Sequence, residues 1–192
     1  CYLDSCAFTE GFYIRPRIDK ELLRQHCGGL IALSACQSGE VPRRILAGDY
    51  EGAKAIALEM RELFGEDGYY LELQDHNLPN DPAINQGLIR IHQETGIPLV
   101  VTNDAHYLRR EDAQMQDTLM CIQMGKTVDD PNRLKMETSE LYVKSTEEMA
   151  ALFPDYPEAV ENTLKIADLC NIDFQFGTYH LPEFKLPQGY TD

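Results

Sequence analysis

Three short apolar runs, each followed by a polar loop and separated by stretches of helical length, constrain this chain more than any other feature. The runs are Leu30-Ile31-Ala32-Leu33, Tyr69-Tyr70-Leu71-Glu72-Leu73-Gln74 and Ile97-Pro98-Leu99-Val100-Val101. Runs of four to six mostly apolar residues bounded by turn formers read as strands buried on both faces, the habit of a parallel sheet. Between them, Tyr50 to Phe64 sets Ala53, Ile56, Ala57, Met60 and Phe64 on one helical face. The stretch from about Pro82 to Thr95 does the same with Ile84, Leu88, Ile89 and His92, and Gly96 ends it. Such alternation leaves one economical arrangement, parallel strands with covering helices in an α/β fold.

Smaller elements fit around this frame. Asp19 caps a short helix over residues 20–27, which Gly28-Gly29 terminates. Residues 34–40 form the loop after the first strand. A fourth helix is expected over 110–124, then a polar loop over 125–137 around Asp129-Asp130-Pro131. Leu141-Tyr142-Val143 reads as a short strand, Ser145 as the cap of a helix holding Met149 and Phe153, and 157–170 as a last helix. The tail from Asn171, with Gly177, Pro182, Pro187 and Gly189, reads as an extended linker. Tyr2, Leu3, Cys6 and Ala7 look like the end of an amphipathic helix. With no initiator Met, the expectation is a fragment of a longer protein.

Charge and cysteine content narrow the function classes. The 192 residues carry 32 Asp and Glu against 17 Lys and Arg, a net charge of −15. A freestanding nucleic-acid binder shows a basic face, because phosphate neutralisation supplies its affinity. Action on phosphates here would need bound cations or a separate basic domain; otherwise the acidity simply keeps a cytosolic protein dispersed. The six cysteines form no CxxC pair and match no zinc-finger spacing. They read as reduced thiols, most of them small buried apolar residues, with Cys36 set apart by its place after a strand. No secretory leader and no bilayer-length apolar run is visible.

In α/β folds chemistry collects in loops at the carboxyl ends of the strands. Here those loops hold Cys36, Asp75 with His76, and Asp104 with His106. Thiolate, imidazole and carboxylate together suit zinc, manganese or iron better than calcium. In extended backbone the side chains of Asp104 and His106 would point the same way and converge on one ion. The plain readings stand beside this: Cys36 as a core residue, Asp104 as a helix cap, and Asp75 and His76 as surface turn residues next to Asn77 and Pro79. The last of these is favoured for His76. His92 reads as a packing residue and His26 as a partner of a helix C-terminus.

Several blocks together carry a family resemblance. They are Glu10-Gly11-Phe12-Tyr13, Pro16-Arg17-Ile18-Asp19, Ser34-Ala35-Cys36, Gly39-Glu40 and Leu46-Ala47-Gly48-Asp49-Tyr50. Further on come Tyr70-Leu71-Glu72-Leu73-Gln74-Asp75-His76, the run from Pro98 to Leu108, Cys121-Ile122-Gln123, Gly125-Lys126-Thr127 and Tyr179-His180-Leu181-Pro182-Glu183-Phe184. In this order they resemble the PHP (polymerase and histidinol phosphatase) domain of bacterial DNA polymerase III alpha subunits. The resemblance implies a partial distorted barrel of about seven βα units with its N-terminal strands missing. Residues 1–176 would be the C-terminal part of the PHP domain, and 177–192 a linker toward a polymerase palm domain. Cys36, Asp104 and His106 would be ligands of a divalent metal: zinc, manganese, iron or magnesium. The remaining family ligands, an His-x-His pair among them, have no counterpart in these residues. A complete PHP domain would act as a metal-dependent phosphoesterase or proofreading 3′–5′ exonuclease; the alternative is a non-catalytic structural and interaction module. The parent would be a DNA-directed DNA polymerase, a nucleotidyltransferase, and this segment alone would be inactive. The implied partners are the remainder of the polymerase chain, DNA through other domains and other replisome subunits. The implied setting is the bacterial cytoplasm with no membrane. An exposed sheet edge and apolar face, with self-association of the fragment, are also expected.

Overall fold

The strand Tyr69–Leu73 (β2) is the centre of the molecule, with four of its five residues buried. The computed structural model describes residues 1–179. Parallel partners flank β2 on both sides. Ala32–Leu33 (β1) pairs Ala32 with Tyr69 and Leu33 with Tyr70. Leu99–Val101 (β3) pairs Leu71 with Leu99, Glu72 with Val100 and Leu73 with Val101. The order is β1-β2-β3, so the α/β reading with parallel strands and covering helices holds.

The crossovers are helical. Between β1 and β2 lie Glu40–Leu46 (α3) and Tyr50–Phe64 (α4); between β2 and β3 lies Asp81–Thr95 (α5). Asp49 caps α4 by accepting the Gly52 N–H at 2.9 Å, and Ala53, Ile56 and Ala57 face inward. Ile84, Leu88 and Ile91 do so from α5, which ends at Gly96 in the left-handed conformation. With Leu71, Leu73, Ile97 and Leu99 these side chains form one continuous core. Helix α3 was not foreseen within the 34–49 stretch; Gly39 precedes it and Pro42 sits in its first turn, where a missing N–H costs nothing.

Two elements pack beyond β3. Pro157–Leu169 (α8) lies across it, and the buried Asn162 Nδ2 donates to the Leu99 carbonyl at 2.7 Å, satisfying the edge of β3. Thr146–Leu152 (α7) precedes it, with Ser145 and Glu148 closing a reciprocal capping box. Of the expected strand at 141–143, a single parallel bridge forms, Tyr107 to Tyr142. Ahead of it the helix Ala113–Met124 (α6) follows a 3-10 turn at Arg110–Asp112. At the amino end, Tyr2–Thr9 (α1) meets Lys20–His26 (α2), and Asp19 caps α2 through the Leu22 N–H. Lys20 ties α2 to α4 through Glu59 at 2.8 Å.

Some expectations change. β1 is shorter and less buried than its apolar run suggested: Leu30 and Leu33 are 45% and 39% exposed, because β1 is an outer strand that no helix covers in the way α8 covers β3. Most of the cysteines are not core residues. Cys6 and Cys121 are buried, Cys27 and Cys36 are half-buried, and Cys1 and Cys170, at helix ends, are exposed; all six are free thiols. Of the expected linker, His180, Pro182, Pro187 and Gly189 lie outside the described residues. Among the described residues, no helix is long and apolar enough to cross a membrane.

Candidate functional site

Each of the three loops leaving the sheet carries a non-glycine residue in the left-handed region. Ala35 after β1 has φ +64°, Asn77 after β2 has φ +60°, and Asp104 after β3 has φ +43°. Asn and Asp adopt such backbone readily in turns, whereas it costs Ala35 roughly 1 kcal/mol or more, so there it persists only where neighbours hold it. The loops enclose a cavity of about 340 Å³ at the carboxyl ends of the strands. Cys36, Asp104 and His106 all line it, together with His76, Glu72 and Gln74.

Cys36 is half-buried in a tight reversal where Gly39 N–H donates to the Cys36 carbonyl at 2.8 Å. A Cβ on Gly39 would lie 2.3 Å from the Ser34 carbonyl oxygen, so only glycine permits this approach. Asp104 and His106 reach the cavity by a different route from the extended one expected. Asp104 turns the chain through its positive φ, and His106 Nδ1 donates to the Asp104 carbonyl at 2.6 Å. A carbonyl only accepts, so Nδ1 carries the proton and Nε2 keeps its lone pair.

His76 corrects the sequence reading. It is only 4% exposed and is not a surface turn residue. Its backbone N–H donates to Asp81 Oδ2 at 2.8 Å, and its carbonyl accepts from Thr138 Oγ1 at 2.7 Å. Its ring Nε2 donates to the Asn103 carbonyl at 3.0 Å, which leaves Nδ1 as the lone-pair nitrogen. Asp75 does behave as a turn residue, accepting the Asn77 N–H at 3.0 Å. His92 donates from Nδ1 to the Ile97 carbonyl at 2.7 Å, a local packing role as expected.

A second layer fixes the loops. Asn103 Nδ2 donates to the Glu140 and Tyr142 carbonyls at 2.7 and 2.6 Å, and its Oδ1 accepts from Lys144 Nζ at 3.0 Å. The Lys144 side chain is 4% exposed, and burial pushes its ammonium below the ordinary lysine range. The donor types fit a divalent cation: one thiol, one carboxylate and imidazoles with fixed tautomers around one cavity. Among the described residues, however, no three Cys, His, Asp or Glu side chains stand together as a ready-made cage.

The comparisons with known proteins agree on one family. The PHP domain family matches residues 1–76. The DNA polymerase III subunit alpha of Borreliella burgdorferi is 48% identical over 187 residues, 96% of this chain and 16% of that protein. That of Treponema pallidum is 47% identical over 189 residues, covering 98% of this chain and 16% of its own length.

The chain belongs to the DNA polymerase III alpha-subunit family.

The alpha subunit of Thermus aquaticus is also similar, 42% identical over 196 residues, 99% of this chain and 16% of its own length. The chain therefore spans about one sixth of the length of these alpha subunits. Cys36 lies within the PHP match; Asp104 and His106 lie after it, in the stretch aligned with the alpha subunits.

Proposed function

We infer that this chain serves a replicative polymerase as part of its PHP domain, with residues 1–176 in that domain and 177–192 leading toward the palm. The three-stranded parallel sheet is read as an arc of a distorted barrel of about seven βα units. Cys36, Asp104 and His106 are proposed to bind a divalent metal, zinc, manganese, iron or magnesium, together with donors from elsewhere in the domain. The single observation supporting this is the cavity at the strand ends that all three line. When bound, such an ion polarises a phosphate ester and lowers the pKa of its water to about 7. This chain's own residues supply the thiolate, the carboxylate and an imidazole whose Nε2 lone pair is kept free by the Asp104 carbonyl. The proposed activity is phosphoester hydrolysis, with a DNA 3′ end as the substrate class. DNA synthesis would lie in other domains, since the net charge of −15 gives this segment no general attraction for DNA. The remainder of the polymerase chain is the proposed partner for the exposed β1 edge, with other replisome subunits around it in the cytoplasm. Self-association of the isolated segment is the alternative use of that edge.

The test is metal analysis and 3′–5′ hydrolysis by the full-length alpha subunit carrying this segment. Asp104→Ala and Cys36→Ser are expected to lower bound metal and hydrolysis together. Unchanged metal content and unchanged hydrolysis in both variants would refute the assignment. A second reading, a structural and interaction module, is favoured by the lack of a ready-made cage among the described residues. In that case a chelator lowers the melting temperature without changing any hydrolysis.

A further inference from the structure

One side chain touches all three strand ends that build the cavity. Glu72 sits on β2, in the middle of the sheet, and its carboxylate reaches both neighbouring loops. Its Oε2 accepts the N–H of Ala35 at 3.0 Å, the left-handed residue that precedes Cys36. Its Oε1 accepts the hydroxyl of Thr102, two residues before Asp104, and the Nε2 of Gln74 at 2.9 Å. Gln74 Nε2 also reaches Thr102 Oγ1 at 2.8 Å, and the Glu72 N–H donates to Ser34 Oγ at 2.8 Å, closing the network.

The geometry points to Glu72 as the positioning residue of the site. Its carboxylate fixes the Cys36 loop against the Asp104–His106 loop, and this assignment rests on reading those loops as donors to one cation. Both carboxylate oxygens receive N–H or O–H donors, Ala35 at one and Thr102 with Gln74 at the other, so removing the carboxylate frees both loops at once. An amide of the same shape can keep the Ala35 N–H on its oxygen while the Gln74 amide turns over and accepts from the new NH₂ and from Thr102. The left-handed Ala35 is exposed, so the protection of its amide depends on this single bond. Glu72 is itself engaged by Ala35, Thr102 and Gln74, which makes it a holder of loops.

The experiment uses the full-length alpha subunit with Glu72→Ala. Its readouts are amide hydrogen exchange at residues 35–36 and 102–104, and affinity for Mn²⁺ alone. Exchange in both segments is expected to rise about tenfold, and Mn²⁺ affinity to fall about 10–100-fold, as for other partners that orient metal-binding groups. The conservative variant Glu72→Gln should restore both. There the amide oxygen takes the Ala35 N–H, and the Gln74 amide, turned over, accepts from the new amide nitrogen and from Thr102. Should Glu72→Ala fail to fold, Thr102→Val removes one donor while leaving Ala35 held, and exchange should then rise at 102–104 alone. Unchanged exchange in Glu72→Ala overturns the proposal. So does faster exchange with unchanged Mn²⁺ affinity, where Cys36→Ser and Asp104→Asn do weaken binding. If those two variants also leave Mn²⁺ affinity untouched, the ligand reading falls while the role of Glu72 in holding the loops stands.

Discussion

Replacing Asn103 with alanine removes three hydrogen bonds that tie the loop of Asp104 and His106 to the 140–144 segment. Two are donations to the Glu140 and Tyr142 carbonyls, and the third is acceptance from Lys144, whose side chain is almost fully buried. At about 1 kcal/mol per neutral bond and somewhat more for the charged one, partial access of water leaves a loss of about 2–3 kcal/mol. Lys144 keeps the Glu140 carbonyl at 2.5 Å, so its charge is not left wholly bare. The assay is urea unfolding followed by circular dichroism, with hydrogen exchange as the local probe. The amides of His106 and Val143, which pair with the Leu141 and Tyr107 carbonyls, should exchange faster than those of β2. Asn103→Asp keeps a partner for Lys144 but donates nothing, so it should lose most of the same stability. A loss below about 0.5 kcal/mol, the level of an ordinary surface change, would refute the idea that Asn103 anchors this loop.

Leu71→Ala, at a fully buried position in the central strand, should cost about 3 kcal/mol, seen as a lower urea midpoint at unchanged slope. Gly39→Ala drives a Cβ into the Ser34 carbonyl and should cost about 2 kcal/mol. Iodoacetamide should also modify Cys36 faster in that variant; an unchanged rate would mean the reversal is not what shields the thiol. Lys54 and Arg90 beside Glu94 hold its carboxyl down at about 2, against an ordinary value of 4.5. The folded value is the lower one, so the stabilisation from this group is complete above pH 4.5 and is lost as pH falls through about 2. Lys54→Met should raise the Glu94 midpoint toward 4.5, read by carboxyl carbon NMR across a pH series.

The fold was legible where local pattern and burial coincide. The bounds of α4 follow from Asp49 at one end, Gly65 at the other and the inward face of Ala53, Ile56 and Ala57. β2 and β3 read correctly because both are buried on both faces, β2 at the centre of the sheet and β3 under α8. The run Leu30–Leu33 has a similar composition yet only two residues pair, since an outer position without a covering helix is a property of topology and leaves no mark on the run itself. Helix α3 escaped notice because its seven residues include Pro42, Arg43 and Arg44 and bury only Val41 and Pro42.

The site divides along a similar line. Their place after strands singles out Cys36, Asp104 and His106 as candidates, and all three line one cavity. His76 was misread because Asp75, Asn77 and Pro79 make its surroundings look like an exposed turn, whereas the groups that draw it inward are remote. Thr138 is 62 residues away and Asn103 is 27. The partners of the Glu72 carboxylate in the neighbouring loops lie 37 residues before it and 30 after it. No local period reports such pairings; they exist only once the register is set. With Glu72 opposite Val100, Thr102 falls just beyond the strand end, within reach of the Glu72 carboxylate. A slip of one residue would turn Glu72 to the other face of the sheet and leave both loops unheld. The placement of the candidate donors is therefore a consequence of strand register, and the apolar residues that enforce register, Leu71 and Leu73 on β2 and Leu99 and Val101 on β3, shape the site without touching it.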